Sequence, residues 1–258
     1  AIPHSALELT GASCKMIISF YFLFIGFVSF TFTSFTSCQL MLFVSKQTVY
    51  QKDTDPPLLA LFTIDACLVV FFMAVHSGLA SDPYRNLMKR TGMGPLTRSF
   101  YVLLSALTLK FVMNFWEPIP ELSLWFIDTR QSPLLWLFFT LVHAIIWIIL
   151  VLECLMLEPL HLLGIKQVWY YVRGHNPHYM PTKLKQLLFH MPHAGIGGFT
   201  LLLWLHPCMT LDRLIMATIW TPYVWLGQYT TQADYIYMKS QVTTESYTTT
   251  RRIGQTYQ

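Results

Sequence analysis

The chain has 258 residues, of which 54% are hydrophobic and only 12% are charged, and its formal net charge is +4. A soluble domain carries about 25% charged residues, so this composition excludes an ordinary water-soluble fold and indicates a protein whose apolar surface faces lipid. The basic residues fall in short segments between apolar runs. That pattern is typical of membrane orientation and of attraction to lipid headgroups, and we expect no direct contact with nucleic acid.

Six apolar runs are long enough to cross the bilayer, for which about 20 residues are needed. They predict spans at about 16–44, 57–79, 96–115, 133–157, 187–207 and 211–229. Only residues 207–210 separate the last two runs, which predicts an antiparallel helical hairpin. The expected fold class is all-α, with one transmembrane helical bundle over residues 1–241. A flexible tail is expected over residues 242–258, because that segment is rich in Thr, Ser and Tyr and has no apolar period.

Between the fourth and fifth runs, Ile165, Val168, Trp169 and Val172 recur at helical spacing and have basic neighbours. This pattern predicts an amphipathic helix that lies on the headgroup surface of the membrane.

The distribution of Lys and Arg predicts the orientation of the bundle. Twelve of the 17 basic residues lie on the side that holds both termini, four lie on the other side, and Lys110 lies within a span. By the positive-inside rule, we expect both termini on the cytoplasmic or nucleoplasmic side, with the opposite ends of the spans facing a lumen.

Two ionisable residues within the spans, Asp65 and Lys110, are expected to lie at similar depths on adjacent antiparallel helices. The sequence predicts a structural ion pair between them, since each would otherwise be buried without a partner. The alternative is a transport or proton pathway, as in a transporter or channel.

A second polar group is predicted at the cytoplasmic end of the bundle, where His76, Glu153, His190 and His193 occur. These residues could be hydrogen-bonded at helix interfaces. A metal site would need a further ligand beside the i, i+3 pair His190 and His193, and we expect no metal. The glycine-rich segment 195–198 that follows could admit a cofactor, but the Ala194 to Gly198 step favours close helix packing.

Four segments resemble the nurim family, over roughly residues 57–241. They read Val-His-Ser at 75–77, Phe-Val-Met-Asn-Phe-Trp-Glu-Pro-Ile-Pro at 111–120, Gly-Ile-Lys-Gln-Val-Trp-Tyr-Tyr-Val at 164–172 and Leu-Asp-Arg-Leu at 211–214. The resemblance implies a six-span protein of the inner nuclear membrane with a structural or interaction role. The partners that it implies are the lipid bilayer and proteins of the nuclear envelope.

The nurim family is in turn distantly similar to isoprenylcysteine carboxyl methyltransferases, which use S-adenosylmethionine. That similarity implies His193, Glu153, His76 and Asp234 as the candidate cofactor-binding residues. The enzyme family has an Arg before its histidine, where this chain has Pro192, and Arg is the residue that clamps a carboxylate through two hydrogen bonds. We therefore expect a non-enzymatic protein without a cofactor; the alternative is a membrane methyltransferase that acts on a lipidated cysteine.

Overall fold

The computed structural model describes residues 4–47, 57–156, 159–174 and 194–227. Most of these residues are helical. The elements in chain order are α1 (His4–Ser45), α2 (Leu58–Ala80), α3 (Asp82–Arg90), a 3₁₀ turn (Gly94–Leu96), α4 (Thr97–Phe115), β1 (Ser123–Phe126), α5 (Pro133–Met156), α6 (Pro159–Leu162), α7 (Ile165–Arg173), α8 (Ala194–Trp204), β2 (Cys208–Thr210) and α9 (Leu211–Gly227).

Four of the helical segments in the described part are long and apolar enough to cross a membrane: Met16–Ser45, Leu58–Ala80, Gly94–Phe115 and Pro133–Leu155. Their outer faces expose many large apolar side chains, which lipid covers without the cost of exposing apolar surface to water. These helices agree with the first four predicted spans. The two remaining runs contain α8, an apolar helix of 11 residues, and α9, a helix of 17 residues. Crossing of the membrane by these two helices stays a prediction.

The helices pack as a bundle in which α1 lies against α4, α2 lies between α4 and α9, and α8 packs against both α5 and α9. The main core is formed where these helices meet. Its buried residues are Val44, Val69, Ile146, Leu202, Leu203, Met216, Ala217 and Trp220. The close contact between α5 and α8 depends on Gly198, where a Cβ atom would lie 3.3 Å from Leu150, so the expected role of this glycine in helix packing is confirmed.

One end of the bundle carries two short strands and is called here the strand end. Strands β1 and β2 pair antiparallel, with Trp125 opposite Met209 and Phe126 opposite Cys208. The expectation of a purely helical fold therefore needs correction, because the short connection between α8 and α9 is a strand. The backbone of such a connection has no helical hydrogen bonds, and residues 123–126 supply its partners.

At the opposite end, the segments 82–98 and 159–174 pack beside α1 and are called here the collar. The collar has its own small core of Phe22, Met88, Leu96 and Val168. Helix α7 confirms the predicted helix between the fourth and fifth runs. Gly164 precedes it with a φ angle of +89°, and a Cβ atom there would lie 2.7 Å from the backbone nitrogen of Ser99. Only glycine tolerates both the left-handed conformation and this close approach.

Candidate functional site

Two carboxylates hold the segment that leads from α4 to β1 at the strand end. Asp65, fully buried in α2, accepts a hydrogen bond from the backbone N–H of Glu117 at 3.0 Å. Asp212, in the first turn of α9, accepts one from the indole N–H of Trp116 at 3.1 Å and one from the backbone N–H of Ile119 at 3.2 Å. The Trp-Glu-Pro-Ile segment is therefore fixed across the bundle by side chains from α2 and α9.

The end of α1 is held by the same part of the molecule. Arg213 donates to the carbonyls of Val44 and Lys46 at 3.0 and 2.7 Å. The carbonyl of Val44 is among those that a helix leaves unpaired at its C-terminus, and Lys46 directly follows α1. His206, between α8 and β2, places Nε2 3.1 Å from the carbonyl of Lys46 and accepts the backbone N–H of Cys208 at Nδ1, also at 3.1 Å. Burial is the main cause that lowers the pKa of His206 to about 3, so the ring is neutral at neutral pH.

Asp65 and Lys110 are not brought together as the predicted ion pair. Asp65 faces the backbone at Glu117, whereas Lys110 lies beside Gln39, Leu42 and Phe43 on the side of α4 that meets α1. The two residues sit on neighbouring helices, but the rotation of each helix about its axis turns them to different neighbours. The sequence does not encode that rotation.

His76 is placed near the collar, at the meeting of α2, α4 and α9. Its Nδ1 lies 3.1 Å from the hydroxyl of Ser105, and its Nε2 lies 2.8 Å from the hydroxyl of Tyr101. Phe72 stacks on the ring at 5.4 Å, and Tyr223 of α9 packs against its edge. Both ring nitrogens are thus engaged by hydroxyl groups of the neighbouring helix α4, as the interface interpretation of this histidine expects.

Glu153, the second predicted cofactor residue, lies against the first turn of α8. Gly195 makes this approach possible, because a Cβ atom there would collide with the Glu153 carboxylate. A carboxylate at a helix N-terminus is stabilised by the unpaired backbone N–H groups and the helix dipole. The other two predicted cofactor residues, His193 and Asp234, lie outside the described residues.

Two of the four residues implied for S-adenosylmethionine binding, His76 and Glu153, lie among the described residues. His76 and Glu153 contact different elements, and each is already used by its own neighbours. Arg98 lies 5.0 Å from the ring centre of Tyr101, which binds His76, and donates its Nε hydrogen to the carbonyl of Leu162 at 2.6 Å. We derive no catalytic step from this arrangement.

The residues that sequence reasoning missed are Asp212, Arg213 and His206 at the strand end and Arg98 and Tyr101 near the collar. Asp212 and Arg213 stand in one of the four segments that resemble the nurim family, and the sequence predicts for them only a lumenal position. A charged pair at the start of an apolar run was the available signal, because such residues can cap the ends of neighbouring helices.

The membrane-length helices, their lipid-facing apolar surfaces and the buried polar contacts between them define a helical integral membrane protein. Comparison with known proteins gives the family. The chain is 32% identical to the nurim homolog of Drosophila melanogaster over 180 residues, which cover 69% of this chain and 71% of the fly protein. It is 34% identical to nurim of Xenopus laevis over 184 residues, covering 69% and 64%, and 32% identical to nurim of Bos taurus over 197 residues, covering 73% of each. The chain belongs to the nurim family. No protein-family model and no solved structure matches it.

Proposed function

We propose that this chain is a resident of the inner nuclear membrane with a structural or interaction role and no enzymatic activity. It crosses the membrane six times, with α8 and α9 in the last two spans and both termini in the nucleoplasm. Membership of the nurim family supports the location in the inner nuclear membrane. The excess of basic residues on the side of the termini supports the orientation. Its partners are the bilayer and other proteins of the nuclear envelope.

One observation carries the non-enzymatic role: the polar groups of the bundle hold its own segments together. Asp212 and Arg213 bind the backbone of two connections, and His76 uses both ring nitrogens within the bundle. A catalytic acid, base or cofactor ligand has to face a substrate. These groups instead face neighbouring helices, which suits a rigid scaffold.

The address and orientation can be tested with a split fluorescent protein. The small fragment is fused to either end of the full chain, and the large fragment is expressed in the nucleoplasm or in the lumen of the endoplasmic reticulum. We expect a fluorescent nuclear rim with the nucleoplasmic fragment for both fusions. A signal with the lumenal fragment overturns the orientation, and a plasma-membrane signal overturns the address.

The non-enzymatic role is tested by titrating the purified full chain with S-adenosylmethionine. We expect no saturable heat of binding up to millimolar cofactor. Saturable binding, followed by methyl transfer to a prenylated cysteine peptide, overturns the role and establishes the methyltransferase alternative.

A further inference from the structure

We propose that the collar binds the phosphate groups of anionic phospholipids, with Arg98 as the anchor and the exposed basic residues of α3 and α7 around it. This inference goes beyond the proposed function, because it needs only that the chain lies in a membrane. It does not depend on which membrane that is.

The position of the collar along α1 matches the headgroup level of a bilayer. Gly26 of α1 faces the side chain of Val168 in α7, with a contact distance of 3.7 Å from the glycine's Cβ position. From Gly26 to the end of α1 at Ser45, the helix rises about 28 Å, at 1.5 Å per residue. The hydrocarbon layer is about 30 Å thick. When the strand end lies at one surface of the bilayer, the collar therefore lies at the other.

The charges of the collar fit an anionic surface. Its two segments contain six basic residues and one acidic residue: Arg85, Lys89, Arg90, Arg98, Lys166 and Arg173, with Asp82. The described residues at the strand end are close to neutral by comparison, with Lys46, Arg130 and Arg213 against Glu117, Glu121, Asp128 and Asp212. The difference in charge attracts anionic headgroups to the collar only.

Apolar side chains are exposed among these charges. Leu87, Met93, Trp169 and Tyr171 have 57%, 42%, 46% and 51% of their surface exposed, and the guanidinium of Arg173 lies 4.6 Å from the ring centre of Trp169. A surface that mixes Trp, Tyr, Leu and basic residues is typical of helices that lie at the boundary between acyl chains and headgroups. This mixture favours lipid over a soluble acidic partner.

Arg98 is held in a geometry suited to one phosphate. Its Nε donates to Leu162 and its plane lies over Tyr101, which leaves its two terminal nitrogens without a hydrogen-bond partner among the described residues. The planar fork of Arg matches two phosphate oxygens. Arg85 of α3 lies 3.3 Å from the carboxylate of Asp82 and belongs to the basic surface around Arg98.

The test uses the full chain reconstituted in vesicles that contain spin-labelled phosphatidylserine or spin-labelled phosphatidylcholine. Electron paramagnetic resonance measures the fraction of each lipid that the protein immobilises. We expect the protein to prefer phosphatidylserine, and to lose up to about fivefold of that preference for each neutralised charge. The preference should also fall as salt is added.

The decisive comparison is between two double variants of the same chemical kind. Lys89→Gln with Arg90→Gln removes one Lys and one Arg from the collar, and Lys46→Gln with Arg130→Gln removes one of each from the strand end. We expect only the first to reduce the preference. No preference in the unmodified protein, or an equal loss in both variants, overturns the proposal.

Two further arms test the anchor and the source of the phosphate. Arg98→Lys keeps the charge but lacks the fork, and we expect it to weaken the preference for phosphatidylserine; an unchanged preference overturns the role of Arg98. Water-soluble glycerophosphoserine at millimolar concentration should fail to displace the spin-labelled lipid. Displacement overturns the assignment to lipid and indicates a site for free phosphate esters.

Discussion

Asp65 and Asp212 lie 147 positions apart in the chain and hold the same four-residue stretch of backbone. Asp65 binds the N–H of Glu117, and Asp212 binds the N–H of Ile119 together with the indole of Trp116. Residues 116–119 belong to the segment that most clearly resembles the nurim family. This segment crosses the strand end and is fixed there by one carboxylate from α2 and one from α9. Its sequence is explained by a structural role.

Loss of the second carboxylate should destabilise the protein. Asp212→Ala leaves the fully buried Ile119 N–H and the indole of Trp116 without their acceptor, and lost hydrogen bonds to a charged group cost about 1.5–3 kcal/mol each. We expect the thermal midpoint in detergent to fall by roughly 6–24 °C. The control is Asp128→Ala, which removes one exposed bond to the N–H of Arg130 and should change the midpoint by less than about 3 °C.

Asp65 and Lys110 should behave independently. They have different neighbours, so a double-mutant cycle of Asp65→Asn and Lys110→Gln should give a coupling energy below about 0.5 kcal/mol. The measurement is the thermal midpoint of both single variants and of the double variant. A double variant that is more stable than either single variant would restore the ion pair that the sequence predicts.

Gly164 should tolerate no side chain. Gly164→Ala combines a positive φ angle with a Cβ atom 2.7 Å from the backbone nitrogen and the hydroxyl of Ser99. We expect a protein that fails to give a monodisperse peak in size-exclusion chromatography in detergent. Gly174→Ala is the matched control: it also has a positive φ, but its Cβ atom meets nothing within 4 Å, and it should cost only about 1–2 kcal/mol. Equal chromatographic behaviour of the two variants would show that the close approach to Ser99 is not the cause of the instability.

Two neighbouring glycines offer a similar comparison in α8. Gly198→Val places new atoms against Leu150 and Ile146 of α5, and overpacking of this kind costs about 1–3 kcal/mol. At Gly197 a Cβ atom would meet nothing within 4 Å, so Gly197→Val is the matched control. Both variants have the same helix propensity, so the difference in their thermal midpoints measures the packing of α5 on α8, and we expect Gly198→Val to be the less stable.

Acidification should weaken the strand end through His206. Its pKa of about 3 in the folded protein lies below its ordinary value of 6.5, so the unfolded chain takes up the proton first as the pH falls. The free energy of unfolding therefore falls progressively from about pH 6.5 towards pH 3, by about 1.4 kcal/mol for each pH unit. Thermal midpoints from pH 7 to pH 5 should fall more steeply for the unmodified protein than for His206→Gln. Parallel curves would contradict the assignment.

The sequence by itself determined where the first four membrane-length helices lie, because lipid offers the backbone no hydrogen bonds and only a continuous apolar helix satisfies them. It also placed α7, through its apolar spacing, and indicated that Gly198 serves close helix packing. These features depend on local composition and period, which a chain carries along its length.

Only the tertiary structure decided which polar groups meet. The rotation of α2 and α4 turns Asp65 and Lys110 to different neighbours, and the strand pairing of residues 123–126 with 208–210 joins segments more than 80 positions apart. The partners of Asp212, Arg213 and His206 follow from the same arrangement. No local period encodes such contacts, because they depend on how whole helices pack and on the angle at which each side chain leaves its helix.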